Sequence, residues 1–174
     1  AWSFGYGAEG RGALYLRRLV QNASTAQALS QIDPALSEFI AWLDGQGDAL
    51  AAAEARQISE RCAPDEIELP GPVGERNLYA LRPCGRVLLR PAPSSGLNRQ
   101  IATVLAAGCD GVIEGMAIPA ELPASVAARL SKRVDGRYAA ALVDSERIAA
   151  TLPELAALPG PIVTAHVPTD GCYL

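Results

Sequence analysis

The chain has 174 residues, of which 49% are hydrophobic, with four cysteines and a formal net charge of −4. This length suits one domain with a sizeable core, with or without an appendage, rather than two equal domains. The acidic balance argues against a nucleic-acid partner, no apolar run reaches the roughly 20 residues of a membrane span, and no signal peptide is visible.

The first ten residues form a Gly-rich lead-in with a formal G-x-G-x-x-G match at Gly5, Gly7 and Gly10. A dinucleotide-binding fingerprint must follow a strand and open a helix. A helix can begin near Gly12, but almost no chain precedes the glycines. We therefore predict a flexible loop here, with a phosphate-binding loop as the alternative.

A helical pattern extends from Leu14 to Leu69. Asp33 followed by Pro34 is typical of a helix start, because the carboxylate can cap the helix and proline suits its first turn. One apolar stripe at helical spacing follows, made of Leu36, Phe39, Ile40 and Leu43. These features predict a helix that ends at the glycines of residues 45–47.

A second helix is predicted after Asp48, which can cap it, and should continue to about Arg61. Pro64 then stops this helix, because proline lacks the backbone N–H that the helix needs.

From Gly71 onward, apolar strand patterns alternate with helical ones. The predicted strands are residues 86–90, 112–114, 139–143 and 161–167, and the predicted helices are residues 96–107, 123–133 and 145–152. Gly108 is expected to terminate the first helix in a left-handed conformation, and Asp110-Gly111 to form the turn into the next strand. The pattern predicts an α/β fold: an open, parallel, Rossmann-like sheet with flanking helices, preceded by a helical N-terminal segment.

Ligands of such sheets bind beyond the carboxyl ends of the strands. The loop after the first strand offers Ser94 and Ser95 at a helix N-terminus, which could hold an anion weakly. Its prolines, Pro91 and Pro93, remove two backbone N–H donors that a phosphate cradle would use. An NAD-binding module at this helix is therefore kept only as an alternative.

Three further residues are candidates for chemistry. Glu114 ends the second predicted strand and Asp144 follows the third, both at the ligand edge, where helix capping or ribose binding would suit them. His166 is the only histidine of the chain. A small independent enzyme that uses Asp144 or His166 is a second alternative, and it requires a pocket that joins the two.

The cysteines are far apart in the sequence and form no C-x-x-C pair; they are Cys62, Cys84, Cys109 and Cys172. Neither a zinc site nor a redox dithiol is expected from this spacing. Unpaired cysteines in a cytosolic protein are the prediction.

Three motifs resemble the C-terminal region of the long bifunctional proline utilization A proteins, and they occur along the chain in the same order as in that family. G-P-V-G-E-R-N-L-Y-A-L-R-P-C-G-R-V at Gly71–Val87 is similar to the segment that opens their last Rossmann-like region, with Cys84 in place of a basic residue. The lead-in at Gly5–Leu19 resembles the end of their aldehyde dehydrogenase domain, although Ala8-Glu9 replaces Pro-Lys. Leu158–Val163, L-P-G-P-I-V, resembles a motif near their C-terminus.

The resemblance implies a bifunctional enzyme that uses FAD and NAD to oxidise proline to glutamate, with the intermediate passed through an internal tunnel. The long members carry an extra, non-catalytic domain of aldehyde dehydrogenase-superfamily type that helps to cover the tunnel and supports assembly. The family's motifs around the catalytic cysteine and carboxylate are absent here. No catalytic, cofactor-binding or metal-binding residue is therefore assigned to this chain.

By this resemblance, residues 1–70 are the end of a dehydrogenase-like segment with a helical linker, and residues 71–174 are the extra Rossmann-like domain. The expected partner is the rest of the bifunctional enzyme, and homo-oligomer formation stays open. The expected location is the cytoplasm, with the parent protein at most peripheral to the inner membrane. Because the chain begins without Met and stops at Leu174, soon after a predicted strand, a piece of a longer protein is expected.

Overall fold

The computed structural model describes residues 32–61, 67–69, 74, 76–79, 83–91, 96–132, 136–144, 148–158 and 164–166. They fall into two compact units. The larger unit comprises Ile32–Cys62 and Arg82–Leu174, and the smaller one comprises Ala1–Gln31 and Ala63–Leu81. The helices of residues 34–61 belong to the larger unit together with the sheet. The domain boundary expected between residues 70 and 71 stays a prediction.

Two helices begin the larger unit: α1 at Pro34–Gly45 and α2 at Ala49–Arg61. The Asp33 carboxylate accepts a hydrogen bond of 2.8 Å from the Ala35 N–H, and Asp48 caps α2 in the same way through Ala51 at 3.1 Å. Both predicted caps are confirmed. The caps satisfy N–H groups that a helix N-terminus otherwise leaves without partners.

The smaller unit contains an antiparallel ribbon of strands β1, Ile67–Leu69, and β2, Asn77–Tyr79. The helical pattern predicted to continue through Leu69 is therefore wrong at its end. The residues Ile67-Glu68-Leu69 alternate apolar and acidic side chains, which is a strand period rather than a helical one. Arg76 donates to the Glu68 carboxylate at 3.3 Å across this ribbon.

A five-stranded parallel sheet forms the centre of the larger unit. Its elements in chain order are β3 (Arg86–Arg90), α3 (Gly96–Ala106), β4 (Asp110–Ile113), α4 (Ala124–Ala128), β5 (Leu130–Ser131), β6 (Ala140–Val143), α5 (Ile148–Ala156) and β7 (Thr164–His166). The strand order is β5-β4-β3-β6-β7, with every neighbouring pair parallel. This confirms the predicted α/β class and makes β3 the central strand.

Two local predictions are wrong. Residues 123–133 were expected to be one helix, but α4 ends at Ala128 and residues 130–131 form the edge strand β5. Asp110 and Gly111 were expected to form a turn, but they begin β4 and pair with Arg86 and Val87 of β3. In both places, strand pairing across the sheet overrides the local turn or helix preference.

Alternate side chains of β3 enter two apolar layers. Val87 and Leu89 pack with the helices α1 to α4, whereas Leu88 packs with Val112 and with Leu155 of α5. The side chains of Val87, Leu88 and Leu89 are all fully buried. A strand that is buried on both faces is typical of a parallel sheet covered by helices on both sides.

None of the helices among the described residues is both long enough and apolar enough to span a membrane.

The end of α3 confirms the predicted role of Gly108. Its φ is +66°, its N–H donates to the Leu105 carbonyl at 3.0 Å, and the Cys109 N–H donates to the Val104 carbonyl at 2.9 Å. These two bonds are the Schellman pattern, in which a left-handed residue satisfies the last carbonyls of a helix. Glycine adopts this conformation without steric cost.

Replacing Gly108 by alanine is expected to lower the free energy of unfolding by about 1 to 2 kcal/mol. The added Cβ would be strained by the left-handed backbone and would lie 3.0 Å from the Pro83 Cγ. Urea denaturation of Gly108→Ala measures this loss, and Gly45→Ala is the control, because Gly45 has no atom within 4 Å of an added Cβ. Equal stability of the two variants would contradict the argument.

Candidate functional site

The carboxyl ends of β3, β4 and β6 meet at one edge of the sheet, where ligands of this fold class bind. Arg90, the last residue of β3, forms an ion pair with Glu114 just after β4 and another, of 2.5 Å, with Glu154 of α5. The Arg90 side chain is only 13% exposed. Both ion pairs are made within the chain, so the Arg90 guanidinium is already engaged at this edge.

Asp144 follows β6 at the same edge and is buried. Its carboxylate lies against Gly96, the first residue of α3, so that a Cβ added at Gly96 would lie 3.0 Å from Oδ1 and closer still to Oδ2. A carboxylate thus already occupies the positive end of the α3 dipole. An incoming phosphate at this helix would meet a negative charge.

The structure places two of the residues that the sequence singled out, Glu114 and Asp144, at the same edge of the sheet, each just after a strand that neighbours β3. His166 ends β7, and its backbone pairs with Leu142 of β6, two residues before Asp144. The His166 side chain lies outside the described residues, as do Ser94, Ser95 and the glycines of the lead-in. The requirement that a pocket join Asp144 and His166 therefore stays a prediction.

Within the described ranges, no group of three His, Cys, Asp or Glu residues could hold a metal ion.

Two of the four cysteines form a pair that their spacing did not predict. The Sγ atoms of Cys84, before β3, and Cys109, before β4, lie 3.5 Å apart, and both thiols are free. Both residues are free thiols, as expected for these two cysteines, and the expectation that they form no redox dithiol stays a prediction. The two residues precede neighbouring strands, so the pairing of β3 with β4 brings them together although 24 residues separate them.

Partial burial, and to a smaller extent a hydrogen bond with Cys109, raises the pKa of the Cys84 thiol to about 11. Because the thiolate is the nucleophile, alkylation of Cys84 by iodoacetamide is expected to speed up about tenfold per pH unit from pH 7 to 10. Peptide mass spectrometry at each pH measures the rate at Cys84 separately from the other cysteines. A free model thiol with a pKa near 8.5 is the control and should level off above pH 9. A plateau for Cys84 near pH 9 would contradict the raised pKa.

Arg129 was not singled out by sequence reasoning, yet it links three parts of the larger unit. Its guanidinium contacts Asp110 of β4 at 2.5 Å, Asp33 before α1 at 3.4 Å and the Cys109 carbonyl at 2.9 Å. The planar, multi-donor guanidinium suits such a junction. The arrangement is structural, since each acceptor belongs to the scaffold.

Comparisons with known proteins point to one group. The bifunctional protein PutA of Rhizobium meliloti is 42% identical over 180 residues, which cover 96% of this chain and 15% of that protein. PutA of Klebsiella aerogenes is 28% identical over 124 residues, or 71% of this chain and 9% of that protein. No family model matches the chain.

Solved structures agree in fold. A mutant of Bradyrhizobium japonicum proline utilization A matches with a TM-score of 0.56 at 20% identity, over 87% of this chain and 21% of that one. A proline utilization A structure with proline bound in remote sites matches with a TM-score of 0.54 at 21% identity, again over 87% and 21%. The chain thus spans between 9% and 21% of the length of these four proteins.

Proposed function

Since the chain is related over nearly its whole length to one part of the bifunctional PutA proteins, we propose that it is a non-catalytic structural domain of such an enzyme. In this role it helps to cover the tunnel between the two active sites and supports assembly. The parent enzyme would convert proline to glutamate with FAD and NAD bound elsewhere in the protein. The chain's partner is then the rest of the enzyme, in the cytoplasm.

The observation that carries this proposal is the state of the ligand edge. Arg90 is held between Glu114 and Glu154, and the buried Asp144 carboxylate stands at the first turn of α3. An enzyme site at this edge needs a group left available for substrate, and among the described residues of the edge Arg90 is already engaged by two acidic side chains. A dinucleotide phosphate needs the helix N-terminus that Asp144 faces. Both considerations support a scaffold role.

The alternative is an NAD-binding module that contributes to glutamate-semialdehyde dehydrogenase activity. One feature favours it: α3 begins a few residues after β3, as the phosphate-binding helix of a dinucleotide fold does. The Asp144 charge weighs against it, because like charges at close range repel in a partly buried site.

Calorimetric titration of NAD into the chain distinguishes the two roles. We expect no heat of binding up to millimolar NAD, while the full-length parent enzyme, as the positive control, binds NAD through its dehydrogenase domain. A dissociation constant at or below about 1 mM, equivalent to about −4 kcal/mol, would overturn the non-catalytic role.

A second experiment tests the tunnel-covering role in the full-length enzyme. Removing the region that corresponds to this chain should leave proline oxidation intact but introduce a lag in NADH formation from proline, because the intermediate escapes to solvent. Pyrroline-5-carboxylate supplied directly should be oxidised by the shortened enzyme as fast as by the intact one. A slower rate would mean that the dehydrogenase site is damaged rather than that the tunnel leaks. Coupled turnover without a lag would contradict the proposal.

A further inference from the structure

We propose that Cys84 and Cys109 form a redox-modification site, at which the two thiols are converted reversibly to a disulfide by a small-molecule disulfide. The inference is independent of the proposed function, since it rests on a different end of the sheet. The site lies at the amino ends of β3 and β4, opposite the ligand edge.

The backbone already holds the two thiols close together. The Sγ atoms are 3.5 Å apart, and the neighbouring Asp110 N–H donates to the Gly85 carbonyl at 2.9 Å. Arg86, two residues after Cys84, and Asp110, directly after Cys109, are register partners in adjacent parallel strands, so the two cysteines are offset by one residue. Strands about 4.8 Å apart with a rise of about 3.3 Å per residue give a Cα separation of roughly 6 Å, within the range of about 4.4 to 6.8 Å that disulfides span. Side-chain rotation alone can close the remaining distance between the sulfurs.

Exposure assigns an order to the two thiols. Cys84 is exposed, whereas Cys109 is only 2% exposed, so Cys84 is the thiol that a reagent in solution meets first. Cys84 is thus the attacking thiol and Cys109 the resolving one. Two groups near Cys109 carry charge, Arg129 on its carbonyl and Asp110 beside it in sequence, and they already pair with each other.

The chemistry is two successive exchanges. The Cys84 thiolate attacks oxidised glutathione, forms a mixed disulfide and releases one glutathione thiolate. The Cys109 thiolate then attacks the Cys84 sulfur, forms the intramolecular S–S bond and releases the second glutathione. The two protein sulfurs lose two electrons, the small disulfide gains them, and the two thiol protons pass to the released thiols.

The bond would close a loop that contains α3 and would join the starts of two core strands. Cross-linking a loop of this size reduces the conformational freedom of the unfolded chain. An upward shift of the melting temperature by roughly 5 to 10 °C is therefore expected on oxidation.

The test is a redox titration of the intact chain in glutathione buffers at about pH 9.5, because the raised pKa of Cys84 leaves very little of the attacking thiolate near neutral pH. Free thiols are then blocked with N-ethylmaleimide, and the peptides are mapped by mass spectrometry without reduction. We expect a Cys84–Cys109 cross-linked peptide, about 2 Da lighter than the dithiol pair, together with the rise in melting temperature. Both should reverse with dithiothreitol.

Two variants keep the result interpretable. Cys62→Ser/Cys172→Ser should retain the cross-link and the temperature shift. Cys84→Ser, a change at an exposed position, should fold as the reduced protein does and lose both. The proposal is overturned if Cys84 and Cys109 remain alkylated in fully oxidised glutathione, if only mixed disulfides with glutathione accumulate, or if either residue pairs with Cys62 or Cys172.

Discussion

Replacing Phe39 by alanine is expected to lower the free energy of unfolding by about 3 to 5 kcal/mol, the usual cost of removing a buried aromatic ring. Phe39 is fully buried, and it lies in α1 within the core cluster that contains Val87 and Leu89 of the sheet. Its ring also stacks on Trp42, with centroids 5.8 Å apart and planes 16° apart. The substitution would leave a cavity between the helical layer and the sheet.

Urea denaturation followed by circular dichroism measures this loss. The matched control is Leu50→Ala, since Leu50 is an aliphatic residue of the neighbouring helix α2 with 73% of its surface exposed. Its stability should stay within about 0.5 kcal/mol of the starting protein. A loss at Phe39 no larger than that at Leu50 would mean that α1 does not share a core with the sheet.

Replacing Arg90 by alanine is expected to lower the free energy of unfolding by about 2 kcal/mol, between the costs of breaking exposed and fully buried ion pairs. Arg90 is 13% exposed and Glu114 is 26% exposed, so that Glu114 would lose a partner in a partly desolvated site. Glu154 is 66% exposed and can be hydrated instead. Most of the loss therefore comes from Glu114.

The matched control for this prediction is Arg56→Ala. Arg56 pairs with Asp44 at the surface, where both side chains are about half exposed. Such pairs contribute about 0 to 1 kcal/mol. If parallel denaturation curves show that Arg90→Ala lowers the free energy of unfolding no more than Arg56→Ala does, the Arg90 ion pairs are solvated. The argument that the chain's own side chains occupy the ligand edge would then fail.

The sequence predicted best those elements whose signals are local. The bounds of β3 are as predicted, α3 differs by one residue at its end, and the caps at Asp33 and Asp48 form. These features depend on periodicity, on a carboxylate next to a helix start and on a glycine at a helix end. Each operates within a few residues of chain.

Elements that depend on distant pairing could not be predicted. β5 has two residues and exists because Leu130 and Ser131 pair with β4. The Arg129 junction likewise joins residues that are far apart in sequence, such as Asp33. Neither β5 nor the Arg129 junction has a local signature in the sequence, because each is made by contacts that form only together with the sheet.

The Cys84–Cys109 pair had a signal that a search for C-x-x-C could not find. Each cysteine stands one or two residues before a strand of the same βαβ unit. In the observed register Arg86 pairs with Asp110, which brings the residues just before the two strands close together. The predicted strand of residues 112–114, with a turn at Asp110-Gly111, starts too late to give this register, so the pair was not predicted. The sequence predicted that Glu114 and Asp144 lie at the ligand edge. It did not predict that Glu114 pairs with Arg90 or that Asp144 packs against Gly96.

The position of α1 and α2 ahead of the sheet has a consequence for synthesis on the ribosome. Leu36, Phe39 and Leu43 are made before any strand of the sheet they cover. Until the chain has been translated through β4, these side chains can pack only with one another and with α2, through residues such as Ala52 and Ala55. The apolar surface that the sheet will cover stays exposed, and chaperones bind surfaces of this kind. At about 5 to 20 residues per second, this interval lasts several seconds.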